Sequence, residues 1–257
     1  MTTIFFTNTG FDRDANEDAV LAGGLYGGGA LSMDAPMVAT EPGAVLAVAD
    51  GMGGGPGGAQ AAAAVLEGLR RLPPAVSGAD DTGRGLILEN LYDTVGEYDR
   101  MALERPDLRG MGATVAGVWR LGDSALVFNC GDCRVYRQRR GLLEMLTRDH
   151  SRVYGLYLDG LIDFEDIRTH PQRHLITSAV QQGNPQVELF TRLVRLDPLD
   201  VFFICSDGVW ESLDDDFLEE CLAADSLEDG ALILADSLVD ANCGDNVSFL
   251  LHGPDDC

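Results

Sequence analysis

Five aspartates stand at turns or at the ends of apolar runs, most of them touching a glycine: Asp18 in Asn16-Glu17-Asp18, Asp50-Gly51, Gly131-Asp132, Asp207-Gly208 and Asp245-Asn246. Asp50 follows the apolar run of residues 45–49, and Asp207 follows Ile204-Cys205-Ser206. Any one of them suits a turn, because a short carboxylate bonds its own backbone two residues on. Five in this setting point to oxygen ligands for hard divalent cations. The chemistry sets a condition. Two bare carboxylates about 4 Å apart repel by roughly 4 kcal/mol at an effective dielectric of 20, so a convergent set needs bound cations.

Rival constellations fall short. Residues 53–58 fit G-x-G-x-x-G after a strand and before a helix, but a dinucleotide unit also needs an acidic residue about 20 positions on, ending a second strand. Residues 73–81 are instead a proline-led loop, and no Lys-Ser or Lys-Thr follows the glycines as a P-loop requires. Cys130-Gly131-Asp132-Cys133 has C-x-x-C spacing, yet a strand pattern follows where a redox dithiol needs a helix N-terminus. No second pair completes a zinc site, so core packing is expected for both thiols. His170 and His174 have Pro171 between them and no H-E-x-x-H pattern, which favours ordinary histidines over ligands. Asn246-Val247-Ser248 matches a glycosylation acceptor by chance if the chain is cytosolic.

The elements that must position the aspartates follow from periodicity. Residues 45–49 lack any polar alternation and read as a strand buried on both faces. Residues 59–72 form a helix, with Ala62, Leu66, Leu69 and Leu72 on one face and Pro73-Pro74 as its stop. Residues 86–103 form a second helix. Residues 2–9 read as an edge strand, 10–18 as a polar turn and 19–44 as a long hairpin connection. From Gly112 the period shortens, and residues 114–120, 124–129, 134–138 and 142–146 read as a meander of antiparallel strands. A mixed polar stretch, 150–182, holds one short helix at 163–169. Strands at 187–195, 200–205 and 246–251 and helices at 214–223 and 227–240 complete one α+β domain with helix-covered sheets.

Composition narrows the function. Eighteen basic against 42 acidic residues give a net charge of −24, which repels nucleic acid and anionic lipid and attracts divalent cations. Carboxylates outside the motifs, such as Asp214, Asp215, Asp216, Asp255 and Asp256, are expected on solvated faces. No run approaches the roughly 20 apolar residues that span a bilayer, and the start lacks a signal pattern, so a cytoplasmic protein is expected. The six scattered cysteines are expected to be free thiols.

Taken in order, the motifs resemble the PPM family of metal-dependent Ser/Thr protein phosphatases, the type 2C class. They are Gly10-x-x-Arg13-x-x-Asn16-Glu17-Asp18, Ala49-Asp50-Gly51-Met52-Gly53-Gly54, Met111-Gly112-Ala113-Thr114 and Gly131-Asp132-Cys133-Arg134. Leu146-Thr147-Arg148-Asp149-His150-Ser151, His170-Pro171-Gln172-Arg173, Ser206-Asp207-Gly208 and Gly244-Asp245-Asn246 continue the series, so the resemblance covers nearly all of residues 1–257. Met52 after Asp50-Gly51 looks like the bacterial branch.

The resemblance implies a four-layer α-β-β-α sandwich with two central antiparallel sheets. It implies two Mn²⁺ or Mg²⁺ ions bridged by Asp50, one of them on the Gly51 carbonyl, with Asp207 and Asp245 completing the pair. A third ion would sit on Asp132 and Asp207, and Glu17 and Asp18 would hold waters bound to the ions. Arg13 would grip the substrate phosphate with its planar fork. Phosphoserine and phosphothreonine would be hydrolysed by direct attack of a water activated between two ions.

Some positions depart from the family. Met52 replaces a histidine that in animal members is a candidate general acid, and Gly55, Cys133 and Ala113 stand where His, Ser and Thr are usual. None removes a ligand. Residues 152–173 resemble the flap beside the site. The partners expected are phosphorylated proteins and an opposing bacterial Ser/Thr kinase, for a monomeric enzyme binding neither nucleic acid nor membrane. A phosphatase of anti-anti-sigma-type regulators is one alternative, and an inactive phosphoprotein-binding module of the same fold is another.

Overall fold

The computed structural model describes residues 1–29, 31–40, 43–53, 56–76 and 80–254. Strands β1 (Thr2–Asn8), β2 (Asn16–Ala22), β3 (Gly24–Gly29), β4 (Met37–Val38) and β5 (Val45–Met52) precede helices α1 (Pro56–Leu69) and α2 (Asp81–Glu104). Next come β6 (Gly112–Leu121), β7 (Ser124–Cys130), β8 (Arg134–Arg139), β9 (Leu142–Met145), α3 (Arg152–Leu158), β10 (Val180–Gln181) and β11 (Phe190–Arg195). The chain continues through β12 (Val201–Cys205), α4 (Asp207–Ser212), α5 (Asp215–Leu222), α6 (Leu227–Asp240) and β13 (Val247–Gly253).

Among the described residues the strands make two antiparallel sheets, ordered β4-β1-β13-β12-β8-β9 and β11-β7-β6-β5-β2-β3, with β10 joined to β6. Strand β5 shows why the architecture has four layers. Leu46 and Val48 face the other sheet and pack with Phe6, Val118 and Phe249. Val45, Ala47 and Ala49 face the other way, onto Val65, Leu66, Leu91 and Tyr98 of α1 and α2. Both faces of the strand are dry, so its sequence has no polar alternation. On the opposite flank Leu218, Leu222, Leu234 and Leu238 of α5 and α6 bury against the first sheet. Helices α5 and α6 start on side-chain caps: Asp214 accepts from the Phe217 amide and Ser226 from the Asp229 amide.

Several expectations need correction. Residues 16–29 are not a loose connection but two paired strands, and Glu17 and Asp18 lie inside β2 rather than in a turn. The short period-2 signal there is diluted by five glycines between positions 23 and 29. The four strands from Gly112 are not one meander. Strands β6 and β7 pair in one sheet and β8 and β9 in the other, because the turn after β7 carries the chain across the sandwich. Gly131 takes φ +107° in that turn, a conformation costly for any residue with a Cβ. Helices α3 and α4 are too short, at seven and six residues, for periodicity to reveal them. The expected helix at 163–169 is a 3₁₀ turn, Phe164–Thr169. Among the described residues, no helix is long and apolar enough to cross a membrane.

Candidate metal-dependent active site

Register carries the aspartates to one end of the sandwich. Asp50 pairs with Thr114 and Gly51 with Ala113 near the end of β5, so Asp50 lies within the strand, two residues before its end. Asp132 sits in the crossing turn before β8, Asp207 opens α4 directly after β12, and Asp245 precedes β13. A register shift between Asn16 and Ala19 reshapes β2 beside them, as bulges do near functional sites.

These residues line one cleft of about 960 Å³. Asp12, Asp14, Glu17, Asp50, Asp132, Asp207 and Asp245 contribute carboxylates to it, against a single arginine, Arg13. Burial pushes the Asp50 and Asp207 carboxyls well above the ordinary range; next in effect, Asp207 repels Asp50 and Asp132 repels Asp207. Burial likewise pushes Asp132 up to about 7 and Asp18 up to about 6, and it raises Glu17. Removing water from a carboxylate without supplying a cation disfavours the charged form.

Arg13 is more than half exposed and donates to Asp245 Oδ2 at 2.7 Å. That bond raises its pKa further. The guanidinium expected to grip phosphate therefore rests on an expected metal ligand. Among the described residues, no three His, Cys, Asp or Glu side chains are grouped closely enough to hold an ion as they stand. The carboxylates ring the cleft rather than meet at a point.

The donor set nevertheless fits hard divalent cations. Asp132 Oδ1 and Asp18 Oδ1 are buried with no hydrogen-bond partner, and a buried carboxylate oxygen left unpaired is costly. Gly51 is packed so closely that a Cβ there would run into the Gly58 and Glu17 carbonyl oxygens. Every candidate ligand is an oxygen, the preference of Mg²⁺ and Mn²⁺.

Other residues hold the site in place, and most were visible in sequence only as motif members. The Asn246 side chain donates to the Thr9 and Ala15 carbonyls and accepts the Glu17 amide, tying β13 to β2. At 5% exposure Asn246 is no glycosylation acceptor. Ser206 donates to Asp18 Oδ2 at 2.8 Å. The Gly131 amide donates to His150 Nδ1, and Trp210 Nε1 donates to the Asp132 carbonyl at 2.9 Å. His150 is visible in sequence only as a member of the 146–151 motif, and Trp210 is disclosed by the tertiary contact alone. Met52 lines the cleft and offers no proton donor.

The remaining motifs behave as expected or lie elsewhere. Cys130 and Cys133 are fully buried in the core and free, as are Cys205, Cys221 and Cys243. His170 Nδ1 accepts the Gln172 amide, whereas His174 lines the carboxylate cleft, 3.7 Å from Glu211. Asp214 is a helix cap, and Asp215 turns partly inward, 3.5 Å from Arg168, so it is not a solvated face. Gly54, Gly55, Asp255, Asp256 and Cys257 fall outside the described residues.

Comparison with known proteins identifies the family. The family model for protein phosphatase 2C matches residues 26–236. The serine/threonine protein phosphatase PstP of Mycobacterium tuberculosis is 29% identical over 249 residues, covering 95% of this chain and 43% of that protein. The chain thus spans less than half the length of that relative. Stp1 of Staphylococcus aureus superposes with a TM-score of 0.81 at 28% identity, over 98% of this chain and 94% of that one. The catalytic domain of PstP in complex with two manganese ions superposes with a TM-score of 0.75 at 26% identity, over 98% of each chain.

Proposed function

Because the chain belongs to the protein phosphatase 2C family, we propose that it is a metal-dependent phosphatase of phosphoserine and phosphothreonine in proteins. The observation that carries the reading is the cleft itself, where seven carboxylates stand against a single arginine and the buried Asp132 Oδ1 lacks a partner.

Asp50, the Gly51 carbonyl, Asp207 and Asp245 would hold two Mn²⁺ or Mg²⁺ ions, with Asp132 and Asp207 holding a third. Such ions supply hydroxide at neutral pH and offset charge on the phosphoryl oxygens. The protein's own residues do the positioning. Asp18, fixed by Ser206, and Glu17, fixed through its amide by Asn246, orient water at the cleft floor. Arg13 leaves Asp245 to take the substrate phosphate, a planar fork meeting two oxygens. Met52 donates no proton, so the proton for the leaving serine or threonine oxygen comes from water or another group in the cleft, which His174 also lines. The 257 residues act as one phosphatase domain, with residues 152–173 as a flap beside the cleft. The enzyme works as a cytoplasmic monomer on phosphorylated proteins, opposing a Ser/Thr kinase.

The test is turnover of p-nitrophenyl phosphate and a phosphothreonine peptide with Mn²⁺, then with chelator. Turnover should vanish with chelator, and Asp207→Asn should lower it by about 100-fold. Equal rates in chelator, or an Asp207→Asn chain as fast as the parent, would overturn the assignment. Peptide binding without turnover would identify a binding module instead.

A further inference from the structure

A second cavity, of about 450 Å³, lies between the end of β9, helix α3, β11 and Phe164. That volume lies in the range of small-molecule sites. Its wall is aromatic: Tyr154, Tyr157 and Phe164 meet edge to face at 5.6 and 5.4 Å, and Phe190 closes the far side. Two arginines reach it, Arg148 and Arg192.

Arg148 is the unusual residue in a chain of net charge −24. It is exposed, its guanidinium lies 5.4 Å from the Phe190 ring centroid, and among the described residues no carboxylate pairs with it. Its backbone is fixed by Asn129, which donates to the Arg148 carbonyl at 2.8 Å. Arg192 shares Glu144 with Arg137, so two cations stand against that one acid. Asp215 also lines the cavity, but its Oδ1 is buried and faces Arg168 at 3.5 Å, so it is not open to a ligand. An arginine without a carboxylate partner and a ring-lined slot define a ligand with two complementary parts. It must carry an anion and a planar ring.

We propose that this cavity binds a nucleotide, with its base against the aromatic wall and its phosphate on Arg148. Aromatic faces bind bases with little regard for sequence, and an arginine beside the ring supplies the charge-assisted bond to phosphate. The site is separate from the carboxylate cleft: the two cavities share no lining residue.

The probe is cyclic AMP, a phosphodiester that a monoesterase does not consume, with adenosine as the same ring lacking charge. Thermal melting is followed on the Mn²⁺-loaded full chain. Cyclic AMP at about ten times its Kd should raise the melting temperature by about 3–6 °C. Adenosine should give a much smaller shift. Arg148→Gln should abolish the shift and Phe190→Leu should reduce it, with both chains keeping the parent circular dichroism. Asp207→Asn should retain it, because the metal cleft takes no part. No shift at millimolar cyclic AMP, an equal shift with adenosine, or a shift that survives Arg148→Gln or is lost in Asp207→Asn would overturn the proposal.

Discussion

Arg134 and Asp149 form a buried ion pair whose removal should be felt both in stability and at Asp132. Their side chains are 2% and 0% exposed. Arg134 Nε bonds both Asp149 oxygens at 3.1 Å and Nη2 bonds Oδ2 at 2.6 Å, while Nη1 donates to the Tyr136 hydroxyl at 3.0 Å. The guanidinium also stacks 3.7 Å from the Trp210 ring centroid. Deleting one partner leaves a desolvated charge, which costs about 3–5 kcal/mol, whereas replacing both by apolar groups is often close to neutral. For a chain of this length each kcal/mol is worth about 2–4 °C, so Arg134→Met or Asp149→Leu alone should lower the melting temperature by about 10 °C. The double variant Arg134→Met/Asp149→Leu should recover most of that loss. Urea denaturation of the four chains gives the coupling energy directly. Because Trp210 holds the Asp132 carbonyl, the single variants should also lose Mn²⁺-dependent turnover. A single variant costing under about 1 kcal/mol, or a double variant as unstable as the sum of the singles, would refute the reasoning.

Gly51→Ala should cost about 1–3 kcal/mol, since the added methyl must push apart the Gly58 and Glu17 carbonyls, and it should weaken Mn²⁺ binding measured by calorimetry. Mn²⁺ at about one hundred times its Kd should stabilise the chain by about 2.7 kcal/mol per site on melting curves, with chelator reversing the gain. His252 gives a pH effect outside the cleft. Burial pushes its pKa down to about 4 from 6.5, and its Nδ1 lies 2.8 Å from Thr3 Oγ1. The unfolded chain therefore takes up a proton that the folded chain refuses, so stability present above pH 6.5 is lost as pH falls toward 4. Between pH 7.5 and pH 5 the share of His252 should be a loss of about 2 kcal/mol, read in urea titrations as the difference between the parent and His252→Gln, because the raised Asp18 and Asp132 carboxyls act in the opposite direction over the same window.

The residues that the sequence marks were those whose constraint is local. Asp50 beside Gly51 after an unbroken apolar run, Asp207-Gly208 after another, and the order of the remaining motifs were enough to mark a candidate site and to identify the family. The helix at 227–240 was legible to its ends, because Ser226 caps it and its apolar spacing repeats over 14 residues. Core burial of the C-x-x-C pair also followed from the strand pattern after it.

What tertiary structure alone decided was whatever depends on contacts far apart in the chain. Strand β3 has glycine at four of its six positions and carries no alternation, so only pairing with β2 makes it a strand. The meander divides between two sheets because of one turn, and period-2 patterning does not say which neighbour a strand takes. Arg13 resting on Asp245, Asn246 joining Thr9 to Glu17, and Trp210 reaching Asp132 span 232, 237 and 78 positions at most. Side-chain type records that a group can donate or accept; its partner is fixed by the packed sandwich, where an unpaired buried polar atom costs more than any local preference.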